Sequence, residues 1–285
     1  MEYRTLGKTG QKLSVIGFGG IVVSETSPDE AARLVASAVT RGVNYFDVAP
    51  SYGDAEEKLG PALKPHRDAV FLACKTQCRD ADGATAELDA SLKMMHTDHF
   101  DLYQLHAMTK MEDVETVLGP GGALEAFQRA RDAGKVRYLG FSAHSAEAAE
   151  ALLDRFPFDS VLFPLNFATY LEGNFGPQVI AAAQRHGTGV LALKGMARTR
   201  WPEGTAREDR RWKKAWYEPL DDRALATLAL RFTLGLGVTA AIPPGHAELF
   251  DLALEIANDL RPLSEAELAT ITEMAHATEP LFRAA

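Results

Sequence analysis

A single α/β domain over residues 1–285, folded as a (β/α)₈ TIM barrel with an N-terminal hairpin and an extra C-terminal helix, is what this sequence predicts. Three observations carry that expectation. The chain has 285 residues, 46% of them hydrophobic and 24% charged, a length that allows either two domains or one barrel, since such barrels run to about 250 residues. Short apolar runs recur along it, and they are near-continuous rather than alternating, as expected of strands buried on both faces. Each run is followed by a segment of helical period, the pattern of parallel strands joined by right-handed crossovers. An open doubly wound sheet usually shows a glycine-rich phosphate turn after its first strand. Here Gly17-Phe18-Gly19-Gly20 continues to Val22, where G-x-G-x-x-G requires a third glycine.

The elements follow in order. Met1–Ser14, with Gly7 and Gly10 as turn residues, reads as a small hairpin closing one end of the barrel. The strands are expected at Val15–Phe18, Tyr45–Ala49, Ala69–Cys74, Leu102–Leu105, Tyr138–Phe141, Val161–Leu165, Val190–Leu193 and Thr239–Ile242. Ser27-Pro28-Asp29-Glu30 supplies the first helix with an N-cap, a proline at the first position and a capping-box glutamate. Ala31, Leu34, Val35, Ala38 and Val39 then share one face, and Gly42 stands where a C-terminal cap belongs. Leu124, Phe127 and Ala130 repeat the pattern mid-chain, and Leu225, Leu228, Ala229 and Phe232 repeat it late. Ser264-Glu265-Ala266-Glu267 caps one helix more. Between the seventh and eighth strands lies an insertion, 197–222, which holds all three tryptophans, Trp201, Trp212 and Trp216. It reads as a lid or substrate wall, with an oligomer contact as the competing explanation; the oligomeric state is left open.

Composition narrows function. Thirty Lys and Arg against 39 Asp and Glu give a net charge of −9, without the basic footprint of a nucleic-acid binder. No apolar stretch reaches the roughly 18 residues of a membrane span, and the N-terminus lacks a signal pattern. Cys74 and Cys78 form neither a disulfide framework nor a redox or zinc motif. The expectation is a cytoplasmic protein that binds a small molecule.

Barrel enzymes place reacting groups at the C-terminal ends of their strands. Read in order, those ends offer Asp47 with Tyr52 just beyond it, Lys75, His106, Ser142 with His144, Asn166 and Lys194. Each alone has a structural explanation. Together they suggest chemistry: a buried lysine needs a partner, and Asp47 on the neighbouring strand supplies one. A lysine cation near a tyrosine lowers the phenol pKa, which makes Tyr52 a candidate general acid with His106 assisting. His144 is expected to cap the following helix. A metal-dependent barrel hydrolase would want ligands on several strand ends. The first strand has no His-x-His and the eighth no acid, so no metal site is expected.

Gly42-Val43-Asn44-Tyr45-Phe46-Asp47-Val48-Ala49, Ser51-Tyr52-Gly53 and Glu56-Glu57-Lys58-Leu59-Gly60 closely resemble the first signature of the aldo-keto reductase family. Cys74-Lys75-Thr76 and Asp101-Leu102-Tyr103-Gln104-Leu105-His106 match the contexts of its other two catalytic positions. Gly134-Lys135-Val136-Arg137-Tyr138-Leu139-Gly140-Phe141-Ser142 resembles its middle motif. The resemblance spans nearly the whole chain and suggests a short bacterial-type member with atypical cofactor-loop residues. It implies an enzyme that reduces an aldehyde or ketone with hydride from NADPH, with NADH also admitted, bound without a Rossmann domain. It implies Tyr52 as proton donor, Lys75 as the group that tunes it, Asp47 as the partner of Lys75, and His106 as a hydrogen-bond donor to the carbonyl oxygen. Cofactor positions carried over are Gly19, Gly20, Asp47, Ser142, Asn166, Leu193, Lys194, Gly195, Arg198, Gly245 and His246. The pattern departs in three places: Ala143 stands for the usual Asn, Leu162 for Gln, and Leu193 for an aromatic residue. The loop after the eighth strand, Ile242-Pro243-Pro244-Gly245-His246, lacks the usual Lys or Arg. Lys194, Arg198 and Arg200 are candidates to compensate, and Gly245 offers backbone N–H groups at a helix start. The departures motivate an alternative, an NAD(P)H-binding regulator or sensor with weak turnover.

Overall fold

The computed structural model describes residues 1–284. It opens with an antiparallel hairpin, β1 (Tyr3–Thr5) and β2 (Lys12–Ser14), as expected. Leu6 and Leu13 from this hairpin are fully buried against Tyr45, Phe71, Leu102, Leu162 and Leu191 inside the barrel. Burial of each leucine is worth about 1.5–3 kcal/mol, so the hairpin is a stopper rather than a tail. Gly7 makes the fit: a Cβ there would come within 2.4 Å of the Gly189 nitrogen.

Eight parallel strands follow: β3 (Phe18–Gly19), β4 (Tyr45–Asp47), β5 (Phe71–Thr76), β6 (Phe100–Met108), β7 (Val136–Ala143), β8 (Ser160–Pro164), β9 (Gly189–Leu193) and, after a two-stranded insertion, β12 (Ala240–Ile242). Each pairs with its neighbour in chain order. The ring closes where Gly17 N–H donates to Ala241 O at 3.0 Å and Ala241 N–H donates to Val15 O at 2.9 Å. The first strand sits later than the sequence reading placed it, because Val15 and Ile16 spend their backbone groups on this seam. β6 runs past His106, so that histidine lies inside a strand, not at its end.

Helices α1 (Pro28–Thr40), α2 (Ala55–Leu63), α3 (Ala81–Met94), α4 (Met111–Leu118), α5 (Ala123–Asp132), α6 (Ala146–Arg155), α7 (Phe167–Leu171), α8 (Pro177–His186), α9 (Arg223–Gly235) and α10 (Ala247–Ala257) fill the crossovers. The main core lies between them and the barrel. Ser27 Oγ accepts the Glu30 N–H at 3.2 Å, as an N-cap should, but the Glu30 carboxylate turns to Arg33 instead of closing a capping box. The extra helix α11 (Glu265–His276) does carry the reciprocal box between Ser264 and Glu267. The insertion is a hairpin of β10 (Ala197–Arg200) and β11 (Tyr217–Pro219) with a long tip. No described helix is long and apolar enough to cross a membrane.

Candidate active site

Asp47 ends β4, and it stands in register with Ala73 on β5. Lys75 is therefore the next inward-facing residue along β5, and it stands in register with Gln104 on β6. These three side chains converge inside the barrel. Lys75 Nζ is paired with Asp47 Oδ1 and donates to Val48 O at 3.1 Å. The other carboxylate oxygen of Asp47 accepts from Tyr45 OH and from Gln104 Nε2, each at 3.1 Å. Lys75 is 0% exposed and Asp47 1%. A buried pair of this kind is tolerable only because its remaining donors and acceptors are used. Burial works against the Lys75 charge, but Asp47 and the neighbouring Tyr52 outweigh it and raise its pKa above the ordinary lysine value.

Tyr52 follows β4 in a turn fixed by its own N–H on Ala49 O, 3.0 Å. Its ring is half-buried, with Lys75 Nζ 5.1 Å from the ring centre and the His106 imidazole edge-on at 5.6 Å. The sequence reading expected Lys75 to set the phenol pKa below its usual value. Instead, burial pushes it up, Lys75 pulls it back only in part, and Asp47 pushes it further up. His106 is held to about 3, first by burial and then by the Lys75 charge, and its Nδ1 lies 3.3 Å from Ser51 Oγ. The imidazole is thus neutral across the working range of pH.

These groups open onto a cavity of about 240 Å³ at the C-terminal mouth. Asp47, Tyr52, His106, Ser142, Leu162, Leu193, Lys194, Gly19, Ile242 and Gly245 line it. Ser142 Oγ accepts the Ala107 N–H at 2.7 Å, which holds Ala107 in its left-handed conformation (φ +54°). The insertion roofs the cavity with Lys214, Ala215, Trp216 and Tyr217. It is tied down by Lys214 Nζ on Ile21 O (3.3 Å) and Val22 O (3.1 Å), and by His246 Nε2, which accepts the Lys214 N–H at 3.1 Å.

Other positions singled out from sequence lie elsewhere. Gly20 and Gly195 do not line the cavity. Asn166 caps α7 through Oδ1, which accepts the Thr169 N–H at 2.9 Å, and its buried Nδ2 has no partner. His246 sits under the insertion, edge-on to Trp212 at 5.0 Å. Arg198 is exposed and lies 3.7 Å from Glu218, while Arg200 covers the Trp216 ring at 5.4 Å. Of the three cations that were candidates to face the cavity, Lys194 alone does so.

Lys194 is 7% exposed, has φ +64°, and lies between the Trp216 and Phe282 rings at 5.5 and 5.8 Å. Its Nζ is 3.3 Å from His144 Nε2, with no carboxylate at ion-pair distance among the described residues. Burial lowers its pKa to about 7. His144 does not cap α6 as expected. Ser145 does, accepting the Ala148 N–H at 3.2 Å, which frees the imidazole for Lys194. Phe282 was missed because nothing in the terminal sequence marks it; it stacks on Phe175 at 5.2 Å and reaches Lys194 only through the fold.

A sequence model of the aldo/keto reductase family matches residues 15–277. Among curated proteins the chain is similar to Aldo-keto reductase YhdN of Bacillus subtilis, 31% identical over 58% of this chain and 54% of that protein. It is also 28% identical to L-galactose dehydrogenase of Arabidopsis thaliana, over 69% of this chain and 66% of that protein. The chain thus aligns with about half of the first relative's length and just under two thirds of the second's. Its fold is similar to that of aldo-keto reductase AKR11C1 from Bacillus halodurans in its holo form, with TM-score 0.75 and 24% identity over 99% of this chain and 98% of that one.

Proposed function

The chain belongs to the aldo/keto reductase family, and from that premise we propose that it reduces an aldehyde or ketone to an alcohol with a nicotinamide dinucleotide, using Tyr52 as general acid. The observation that carries the reading is the buried Asp47–Lys75 pair set behind Tyr52 at the wall of an otherwise largely apolar cavity. The lining fits such a cofactor. Leu162, Leu193 and Ile242 offer flat apolar walls, Ser142 a hydroxyl, and Lys194 a cation without an acid partner, suited to a phosphate. NADPH is the proposed donor, with NADH admitted. When bound, the reduced nicotinamide supplies the hydride.

The protein's own residues supply the rest. Burial keeps Tyr52 protonated, so it holds the proton that a developing alkoxide needs. Lys75 then stabilises the phenolate left behind, and Asp47 keeps the lysine charged and aimed. His106 is neutral; with Ser51 donating to Nδ1, its Nε2–H is the donor toward the carbonyl oxygen. A preorganised donor of this kind is worth about 2.7–4 kcal/mol in the transition state. The test is fluorescence titration with NADPH and NADH, followed by a panel of aldehydes, ketones and quinones. Micromolar binding with turnover supports the reading, and tight binding without hydride transfer supports the sensor instead. Failure of both dinucleotides to bind removes the enzymatic reading altogether.

A further inference from the structure

Beside the cavity lies a second cleft of about 540 Å³, also lined by Tyr52. It shares Tyr52, Ile21, Lys214 and Trp216 with the cavity, so the two spaces adjoin along these residues. Four cations line it, Arg207, Arg210, Lys213 and Lys214, against two carboxylates, Glu25 and Asp54. In a chain of net charge −9 this is a local reversal of sign.

The two acids are already engaged. Glu25 pairs with Arg207, and Asp54 accepts the Glu25 N–H at 2.9 Å while lying 3.8 Å from Lys58. Lys214 is spent on the carbonyls of Ile21 and Val22. Arg210 and Lys213 have no carboxylate at ion-pair distance among the described residues; one Nη of Arg210 donates to Thr205 O at 3.2 Å, and its buried Nε has no hydrogen-bond partner. A guanidinium and an ammonium without acid partners, in a cleft that Tyr52 also lines, match a carboxylate or a phosphate.

We infer that this cleft binds the anionic end of the substrate, so that the preferred substrates are carbonyl compounds carrying a carboxylate or phosphate, with Arg210 and Lys213 as specificity-determining residues. The inference rests on the reductase reading and names its substrate class. The carbonyl end lies at Tyr52, and the rest of the molecule extends under the insertion into the cleft.

The test compares 4-carboxybenzaldehyde with its neutral methyl ester, each with NADPH, and adds 4-formylphenyl phosphate to tell which anion is preferred. The wild type is expected to favour an anionic aldehyde by about tenfold or more in kcat/KM, mostly through KM, and to lose that preference as NaCl is raised. The double substitution Arg210→Gln, Lys213→Gln is expected to bring the ratio close to one. Equal reduction of acid, phosphate and ester by the wild type overturns the anionic subsite and leaves the reductase reading standing. A double variant that keeps the preference, or that loses NADPH affinity instead, overturns it as well. Reduction of none of these aldehydes overturns the reductase reading and the subsite with it.

Discussion

Lys75 and Lys194 are both buried near the C-terminal ends of barrel strands, yet Lys75 lies against Asp47 while Lys194 lies against two aromatic rings and a neutral imidazole. Burial disfavours the charge of both, yet the net shifts are opposite. At Lys75 the carboxylate overcomes desolvation and the ammonium stays charged; at Lys194 nothing does, and its pKa falls to about 7. The first lysine is part of a finished electrostatic unit. The second is a cation site completed by an anion brought from outside, for which a dinucleotide phosphate is the proposed occupant.

Breaking each lysine should expose the difference. Lys75→Met strands Asp47 as a buried unpaired charge, with an expected loss of about 3–5 kcal/mol of stability by denaturant titration and a fall in turnover of roughly 10²–10⁴-fold. Lys194→Met should cost no stability, because it removes a desolvated amine whose charged form has no partner. Its effect should appear as weaker dinucleotide binding, by about 10–100-fold, from one charge-assisted contact. Equal destabilisation by the two substitutions would erase the distinction.

Acidity sharpens it further. The Lys194 pKa is depressed on folding, so the unfolded chain holds more protons between about pH 7 and 10. Wild-type stability relative to Lys194→Met should therefore rise with pH across that window. A bound phosphate raises the lysine pKa again, so dinucleotide binding takes up a proton and Kd should increase above pH 7 by up to about tenfold per unit. The chemical step should stay flat from about pH 6 to 9, since His106 titrates near 3 and Tyr52 above its ordinary value. The smallest effect is expected from Trp216→Ala. It removes one ring from beside Lys194, worth roughly 0.5–2 kcal/mol, and should weaken the dinucleotide a few-fold in the same fluorescence titration.

The two lysines also differ in how they could be read from sequence. Lys75, Asp47, Tyr52 and His106 each sit in a contiguous segment of strand or turn; strand alternation aims Asp47, Lys75 and His106 inward, and the turn directly after β4 presents Tyr52. The burial of Lys194 depends on Trp216 and Phe282, which are distant in the chain and brought near only by the insertion and the C-terminal tail. Arg198 and Arg200 looked equivalent to it in sequence, but β10 is a hairpin strand whose pairing with β11 puts Arg198 beside Glu218. His144 was misread for a local reason: Ser145 is the better N-cap, and the imidazole was left over. Periodicity was sufficient for the barrel, while cavity walls assembled from loops were not legible.

The central claim is that Tyr52 delivers the proton from in front of the Asp47–Lys75 pair. It is tested most directly by single-turnover oxidation of pre-bound NADPH by an aldehyde, followed in the wild type and in Tyr52→Phe. Unchanged NADPH affinity with hydride transfer slowed by roughly 10²–10⁴-fold is the predicted result. Hydride transfer at the wild-type rate in the variant would contradict it.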